Sequence, residues 1–328
     1  MKLVIAGTGS CVPETKLRND ELERLVDTSD DWIQTRTGIV ERGRAGPEIA
    51  SSDLALVAAR HALEMAELSA DQIELIIVCT VSPDTLTPAT SSLVHRELRV
   101  SRPIPCFDMN AACSGFIYGL EVSGSLMRAG GYTRVLLIGA ESLTKFTDYE
   151  DRDTCVLFGD AAGAVVLELR EGEGGLRATV LKSDGNFANL ISIPGGGSRR
   201  PPSPYVLAQR QAFIQMNGRQ VFKIAVQAME QVARDVLERA GWQLDEVDHV
   251  LVHQANRRII EAVAERLELP SEKVPTNIEH TGNTSAASIP VLMDECNRAG
   301  RFSPGDKILC AGFGAGLTWG GAAIEWTG

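Results

Sequence analysis

Short apolar runs and longer stretches of mixed polarity alternate along most of this chain, beginning with the run Lys2-Leu-Val-Ile-Ala6. The runs predict strands. The mixed stretches, whose apolar residues fall on one helical face, predict amphipathic helices. Such alternation is the signature of mainly parallel sheets joined by helical crossovers, so an α/β protein is expected.

The pattern is also written twice. Ser52–Leu68 reads as a helix leading through Asp71-Gln-Ile-Glu into the apolar strand Leu75-Ile-Ile-Val-Cys79, and Phe222–Ala240 leads through Asp245-Glu-Val-Asp into Val250-Leu-Val-His253. Cys79 and His253 thus stand at matching strand ends. Further on, Phe107-Asp-Met-Asn-Ala-Ala-Cys113 lies over Asn277-Ile-Glu-His-Thr-Gly-Asn283, which sets Asn110 opposite His280 and Cys113 opposite Asn283. Fifteen residues beyond Cys113 and beyond Asn283 comes the same Arg-Ala-Gly, at Arg128 and Arg298, and then a strand, Arg134–Gly139 or Asp306–Gly312. The halves meet near Glu171-Gly-Glu-Gly-Gly175, dividing the chain into 1–172 and 173–328. A pseudo-two-fold axis between them would bring Cys113, His253 and Asn283 to one centre. Ile193–Pro204, with four prolines and three glycines, suits no regular element and reads as a loop at an entrance or interface, or as a surface excursion.

At 328 residues, 44% apolar and 23% charged, the chain has ordinary globular values and exceeds the usual size of a single core. No apolar run approaches the roughly 20 residues of a membrane span, and the first strand lacks the long apolar core of a signal peptide, so a cytoplasmic protein without a membrane partner is expected. A net charge of -11 argues against nonspecific nucleic-acid binding; an acidic partner would need a local basic patch. Seven cysteines without metal-type close pairs point to reduced thiols and to no metal site.

Cys113 is the strongest candidate for chemistry. It follows the strand-like Ile104–Asp108 and opens a helix, Ser114–Ala129, ended by Gly130-Gly131. A thiol there feels the positive end of the helix dipole and is expected to lose its proton more readily, while free backbone N–H groups can hold an oxyanion. Cys11, Cys79, Cys106, Cys155, Cys296 and Cys310 read as space-filling. Of the five histidines, His61 and His95 sit in helical segments, His249 begins a strand, and His280 lies opposite Asn110. His253 ends an apolar strand, where parallel sheets carry their active groups, and is followed by Gln254-Ala-Asn256 and a helix.

Asn110-Ala-Ala-Cys-Ser-Gly115, Val252-His-Gln-Ala-Asn256, Gly282-Asn-Thr-Ser-Ala-Ala-Ser288 and Gly314-Ala-Gly-Leu-Thr-Trp-Gly320 resemble the β-ketoacyl-acyl-carrier-protein synthase III family. Phe158–Ala164 and Asp27–Ile39 add to the resemblance, which spans essentially the whole chain. It implies a thiolase-like fold, two duplicated halves in a five-layer αβαβα sandwich, usually as a homodimer. It also implies Cys113, His253 and Asn283 as catalytic triad, with backbone N–H groups of Cys113 and Ala315 as oxyanion hole. The implied reaction condenses an acyl-CoA primer with malonyl-acyl-carrier protein, initiating fatty acid synthesis through an acyl-Cys intermediate, without metal or redox cofactor.

By the same resemblance Thr28, Trp32, Arg36 and Arg152 surround the nucleotide end of coenzyme A, with Trp32 and Arg152 sandwiching adenine. Gly218, Phe222, Ala255, Asn256 and Ile259 line the pantetheine tunnel. Gln254, Lys223, Arg257 and Arg258 are expected to meet the carrier protein, with Arg266 either joining that rim or lying on a solvated helix face. Leu86 and Thr87 border the primer pocket. This chain departs from the family pattern at Arg219, often Asn in relatives, and at Thr87, where acetyl-selective members tend to carry Phe; the second departure implies a roomier or differently shaped pocket. Three alternatives stay open: a thiolase, although those enzymes carry a second cysteine where this chain has Gly312; a related condensing enzyme or acyltransferase of specialised metabolism; and a noncatalytic acyl-CoA-binding protein.

Overall fold

Two sheets, each drawn from one half of the chain, face one another across a shared layer of helices. The computed structural model describes residues 1–328. Lys2–Cys11 (β1), Leu75–Cys79 (β2), Cys106–Met109 (β3), Arg134–Ser142 (β4) and Asp160–Arg170 (β5) form the first sheet, in the order β1-β5-β4-β2-β3. Gly175–Ser183 (β6), His249–Val252 (β7), Lys307–Gly314 (β8) and Thr318–Glu325 (β9) form the second, in the order β7-β8-β9-β6. From its other edge the second order repeats the first, with β6, β9, β8 and β7 standing for β1, β5, β4 and β2 in the same relative directions. β3 has no counterpart, because after Pro275 the chain enters a short helix, Ile278–Thr281.

The sheets are mixed and not, as expected, mainly parallel. β1/β5, β4/β5, β6/β9 and β8/β9 run antiparallel, whereas β2/β3, β2/β4 and β7/β8 are parallel. Apolar periodicity locates strands but not their direction, and the link between β8 and β9 is too short for the crossover a parallel neighbour needs.

The principal helices are Ser51–Met65 (α1), Thr90–Leu98 (α2), Gly115–Arg128 (α3), Gly218–Ala240 (α4), Arg257–Arg266 (α5) and Ser288–Arg298 (α6). α1 and α2 cover the outer face of the first sheet, α3 and α6 lie between the sheets, and α4 covers the second sheet with α5 against it. Helix on both sides explains why β2 and most of β4 are apolar at successive positions: neither face meets water. α6 packs on β1 and β5, so the halves share cores: Leu75, Ile77 and Leu137 of the first sheet cluster with Leu251, Ile308 and Cys310 of the second. Residues near 172 therefore divide two sheets, not two separable cores. Close approach at the centre depends on Gly139, where a Cβ would stand 2.3 Å from the Ala286 carbonyl oxygen.

Candidate active site

The turn that carries Cys113 is built by Asn110, whose Oδ1 accepts from the Ala112 N–H at 3.1 Å. Ala112 takes a left-handed φ of 46°, a 3-10 turn follows over Ala112–Ser114, and α3 begins at Gly115. The second half repeats this device with Asn283: its Oδ1 accepts from the Ser285 N–H at 2.9 Å, Ser285 has φ 47°, and Ser285–Ala287 leads into α6. Asn283 is therefore the counterpart of Asn110, and Ala286 that of Cys113, so the expected pairings of Cys113 with Asn283 and Asn110 with His280 are out by three residues. The cause is helix length. α3 has 14 residues and α6 has 11, so the shared Arg-Ala-Gly aligns their ends but not their starts. The match of Cys79 with His253 holds, since Val78 faces Ile138 as Val252 faces Ala311.

A cavity of about 500 Å³ is lined by Cys113, His253 and Asn283 together. Each is fixed by its own backbone. The Asn283 N–H donates to the Leu157 carbonyl at 2.8 Å and its carbonyl accepts from the Gly159 N–H at 3.0 Å. With Oδ1 held by Ser285, the Nδ2 end of the amide is left for the cavity. The His253 N–H donates to the Ala311 carbonyl at 2.8 Å, and Nδ1 lies 2.6 Å from Ser288 Oγ, which leaves Nε2 as the ring's other polar end. Gly314 packs against the nucleophile so closely that a Cβ there would stand 2.5 Å from the Cys113 amide nitrogen.

Charge at this centre differs from the expected easily ionised thiol. Burial, with the Glu141 charge adding, pushes the Cys113 thiol up to about 12, although part of its surface still meets the cavity. A helix start favours an anion by only about 0.3–1 kcal/mol, less than one pKa unit, whereas burial can move a group by several. Burial likewise lowers the His253 imidazole to about 3, so thiol and ring rest as a neutral pair near pH 7.

A second cavity of about 890 Å³ also reaches Cys113 and is lined by Leu86, Ala315 and Gly195–Gly197. The glycines of the Ile193–Pro204 stretch thus line this second cavity, although Pro204 itself starts a short helix, Pro204–Ala208, capped by Ser203. Leu86 is 84% exposed at the rim, and Thr87 does not line the cavity.

Toward solvent the first cavity is lined by Trp32, Arg36, Gly218, Phe222, Ala255, Asn256 and Ile259, and also by Arg219. Ser29 caps the helix Asp30–Thr37 by accepting from the Trp32 N–H, setting Trp32 and Arg36 one turn apart. Asn256 caps α5 through the Arg258 N–H and reaches across to the Arg36 carbonyl at 3.1 Å. Thr28 and Arg152 do not line this cavity. The Arg152 guanidinium instead lies 4.8 Å from the Trp32 ring centre and donates to the Asp27 carbonyl, closing the space expected for adenine.

On the expected carrier-protein face, Lys223 and Arg258 are exposed, Arg258 resting on the Phe222 ring at 5.6 Å. Arg257 pairs with Glu279 at 3.5 Å, and Arg266 is held by Glu230 at 2.9 Å, which favours the solvated-face reading for Arg266. Gln254 does not belong to that face: it is wholly buried, donating to the Val252 carbonyl and accepting from the Asn277 N–H. A polar amide at the end of an apolar strand satisfies its own turn before it can serve a partner. Ser288, Ser285, Gly314 and Glu141 escaped the sequence reading as site residues. Ser288 closed a recognised motif, but nothing in the pattern joined it to His253.

Residues 107–185 match the sequence model of 3-oxoacyl-[acyl-carrier-protein] synthase III, and residues 237–326 match that of its C-terminal part. The β-ketoacyl-[acyl-carrier-protein] synthase III of Symbiobacterium thermophilum is 48% identical over 323 residues, covering 98% of this chain and 97% of its own. The crystal structure of 3-oxoacyl-[acyl-carrier-protein] synthase III from Aquifex aeolicus superimposes with a TM-score of 0.91 at 44% identity, covering 99% of this chain and 100% of its own. The corresponding enzyme of Pseudomonas aeruginosa gives 0.92 at 40%, covering 100% and 99%. The chain belongs to the 3-oxoacyl-[acyl-carrier-protein] synthase III family; it is an acyltransferase with the thiolase-like fold.

Proposed function

From that family membership we infer that the protein condenses an acyl-CoA primer with malonyl-acyl-carrier protein, giving 3-oxoacyl-acyl-carrier protein, CoA and CO2, the step that initiates fatty acid synthesis. The observation that supports this reading most is the convergence of Cys113, His253 and Asn283 on one cavity, from turns that recur in the two halves.

In the first half-reaction the Cys113 sulfur attacks the thioester carbonyl of the primer while the N–H groups of Cys113 and Ala315 hold the oxyanion. The carbon–sulfur bond to CoA breaks, and CoA leaves with the proton that the thiol gives up. Because thiol and imidazole rest neutral, the negative sulfur is formed as the reaction proceeds and not stored beforehand. In the second half-reaction malonyl-acyl-carrier protein loses CO2, leaving an enolate. His253 Nε2, with its proton placed there when Ser288 donates to Nδ1, and the Asn283 amide each donate to its oxygen. The carbanion attacks the acyl-Cys carbonyl, and the released sulfur recovers a proton from water.

In this reading the cavity past Trp32 and Phe222 takes the CoA or carrier-protein arm, and the cavity behind Leu86 takes the acyl chain. The size of the second cavity, about 890 Å³, favours primers larger than acetyl. Lys223, Arg257 and Arg258 receive the acidic carrier protein, and exposed Leu86 at the rim is covered by a second copy in a homodimer. A panel of acetyl-, isobutyryl- and octanoyl-CoA, each with malonyl-acyl-carrier protein or with acetyl-CoA as acceptor, tests the proposal. Condensation only with the malonyl donor supports it, turnover without that donor would indicate a thiolase, and strict acetyl preference would end the enlarged-pocket idea.

A further inference from the structure

β4 closes with Ala140-Glu141-Ser142, and the Glu141 side chain is wholly buried with no cation among the groups that set its charge. Its carboxylate accepts from Ser82 Oγ at 2.5 Å, the Val81 N–H at 3.1 Å, Thr80 Oγ1 at 3.2 Å and the Ala286 N–H at 3.4 Å. One side chain thus joins the loop after β2, which runs on to Leu86 and the second cavity, to the turn that carries Asn283. Ser285, the residue before Ala286 in that turn, lines the second cavity together with Cys113, and its buried hydroxyl, bonded to no other group, eases charge on both the Glu141 carboxylate and the Cys113 sulfur.

We propose that Glu141 is a positioning residue that sets how readily the Cys113 sulfur carries negative charge. The inference rests on Cys113 being the nucleophile and extends that reading to its control. Two anions in one buried volume oppose each other, so ionised Glu141 restrains the thiolate and protonated Glu141 releases it. Burial pushes Glu141 up to about 7, which populates both forms near neutrality. The groups around it do not relieve this. Cys79 on β2 feels the same charge and also that of Asp108 on β3, Asp160 on β5 is turned into Thr144 and the Ala45 N–H, and the α6 side offers only the Ser285 hydroxyl and the Ala286 N–H. His253, down at about 3, stays neutral through this range.

The test is the pH profile of Cys113 alkylation by iodoacetamide, mapped by peptide mass, because it reads the sulfur without requiring turnover. In the wild-type protein the rate is expected to climb about tenfold per pH unit below neutrality, flatten just above pH 7 as Glu141 ionises, and climb again. Glu141→Gln should remove the flattening and alkylate several-fold faster above pH 8. Ser285→Ala should keep the flattening and alkylate several-fold more slowly throughout, since it deletes only the favourable contact. A wild-type profile that rises through pH 7 without a bend, or a Glu141→Gln profile identical to wild type with only a lower Tm, overturns the proposal. If the Gln variant does not fold, the wild-type and Ser285→Ala profiles still decide. Failure of the condensation reading alone would leave these profiles as described.

Discussion

Replacing Gly314 by alanine would put one methyl group into the tightest contact of the site. The new Cβ stands 2.5 Å from the Cys113 amide nitrogen, 3.0 Å from the Cys113 Cβ and 3.1 Å from the Ala112 Cβ. None of these atoms is the end of a flexible side chain, so the nucleophile's turn must move. Overpacking of this size costs about 1–3 kcal/mol of stability, and loss of one oxyanion donor costs about 100- to 1,000-fold in rate. Single-turnover acylation, followed by quenched intact mass, should therefore slow by at least about 100-fold, while Tm falls by several degrees. Gly9→Ala is the control: its Cβ would stand 2.3 Å from the Ala58 carbonyl oxygen, between β1 and α1, so it should lose stability but acylate normally once folded. Wild-type acylation by Gly314→Ala would refute the claim that the Cys113 amide must hold its present position.

Ser288→Ala removes the partner of His253 Nδ1 and should slow decarboxylation of malonyl-acyl-carrier protein by about 10- to 100-fold, with primer loading affected much less; equal losses in both half-reactions would argue against it. Trp32→Ala should raise KM for acyl-CoA several-fold at nearly constant kcat, as expected when only uniform binding is lost; a fall in kcat equal to the rise in KM would argue against it. Stability should carry two opposed pH signatures. Glu141, near 7 when folded and lower when unfolded, contributes stability present below about 4.5 that is lost as pH rises through 7, on the order of 3 kcal/mol, so Glu141→Gln should flatten that slope in urea titrations. His253, held near 3 when folded, contributes stability present above about 6.5 that is lost as pH falls toward 3, and His253→Gln should abolish that loss.

Much of this site was legible because it is written in duplicate and in short motifs. Apolar runs located the strands, and the matching strand ends at Cys79 and His253 kept their register because ladder pairing tolerates no slip of one residue. Asn283 was found with the wrong counterpart because helices of unequal length carry the same terminal tripeptide. Strand direction escaped, since burial patterns are the same for parallel and antiparallel neighbours. The ionisation of Cys113 was misjudged for a different reason: a helix start is visible in sequence, but the depth of protein over a sulfur is a property of all five layers. Gln254 and Glu141 show the same gap, because a polar residue's partners come from distant segments that no local spacing announces.

Peptide mapping after incubation with isobutyryl-CoA, before and after malonyl-acyl-carrier protein is added, addresses the proposed nucleophile most directly. An acyl adduct on the peptide containing Cys113, absent from Cys113→Ser and discharged as the 3-oxoacyl product forms, is the expected result. Product formation by Cys113→Ser, or an adduct on another cysteine that the malonyl donor discharges, would contradict it.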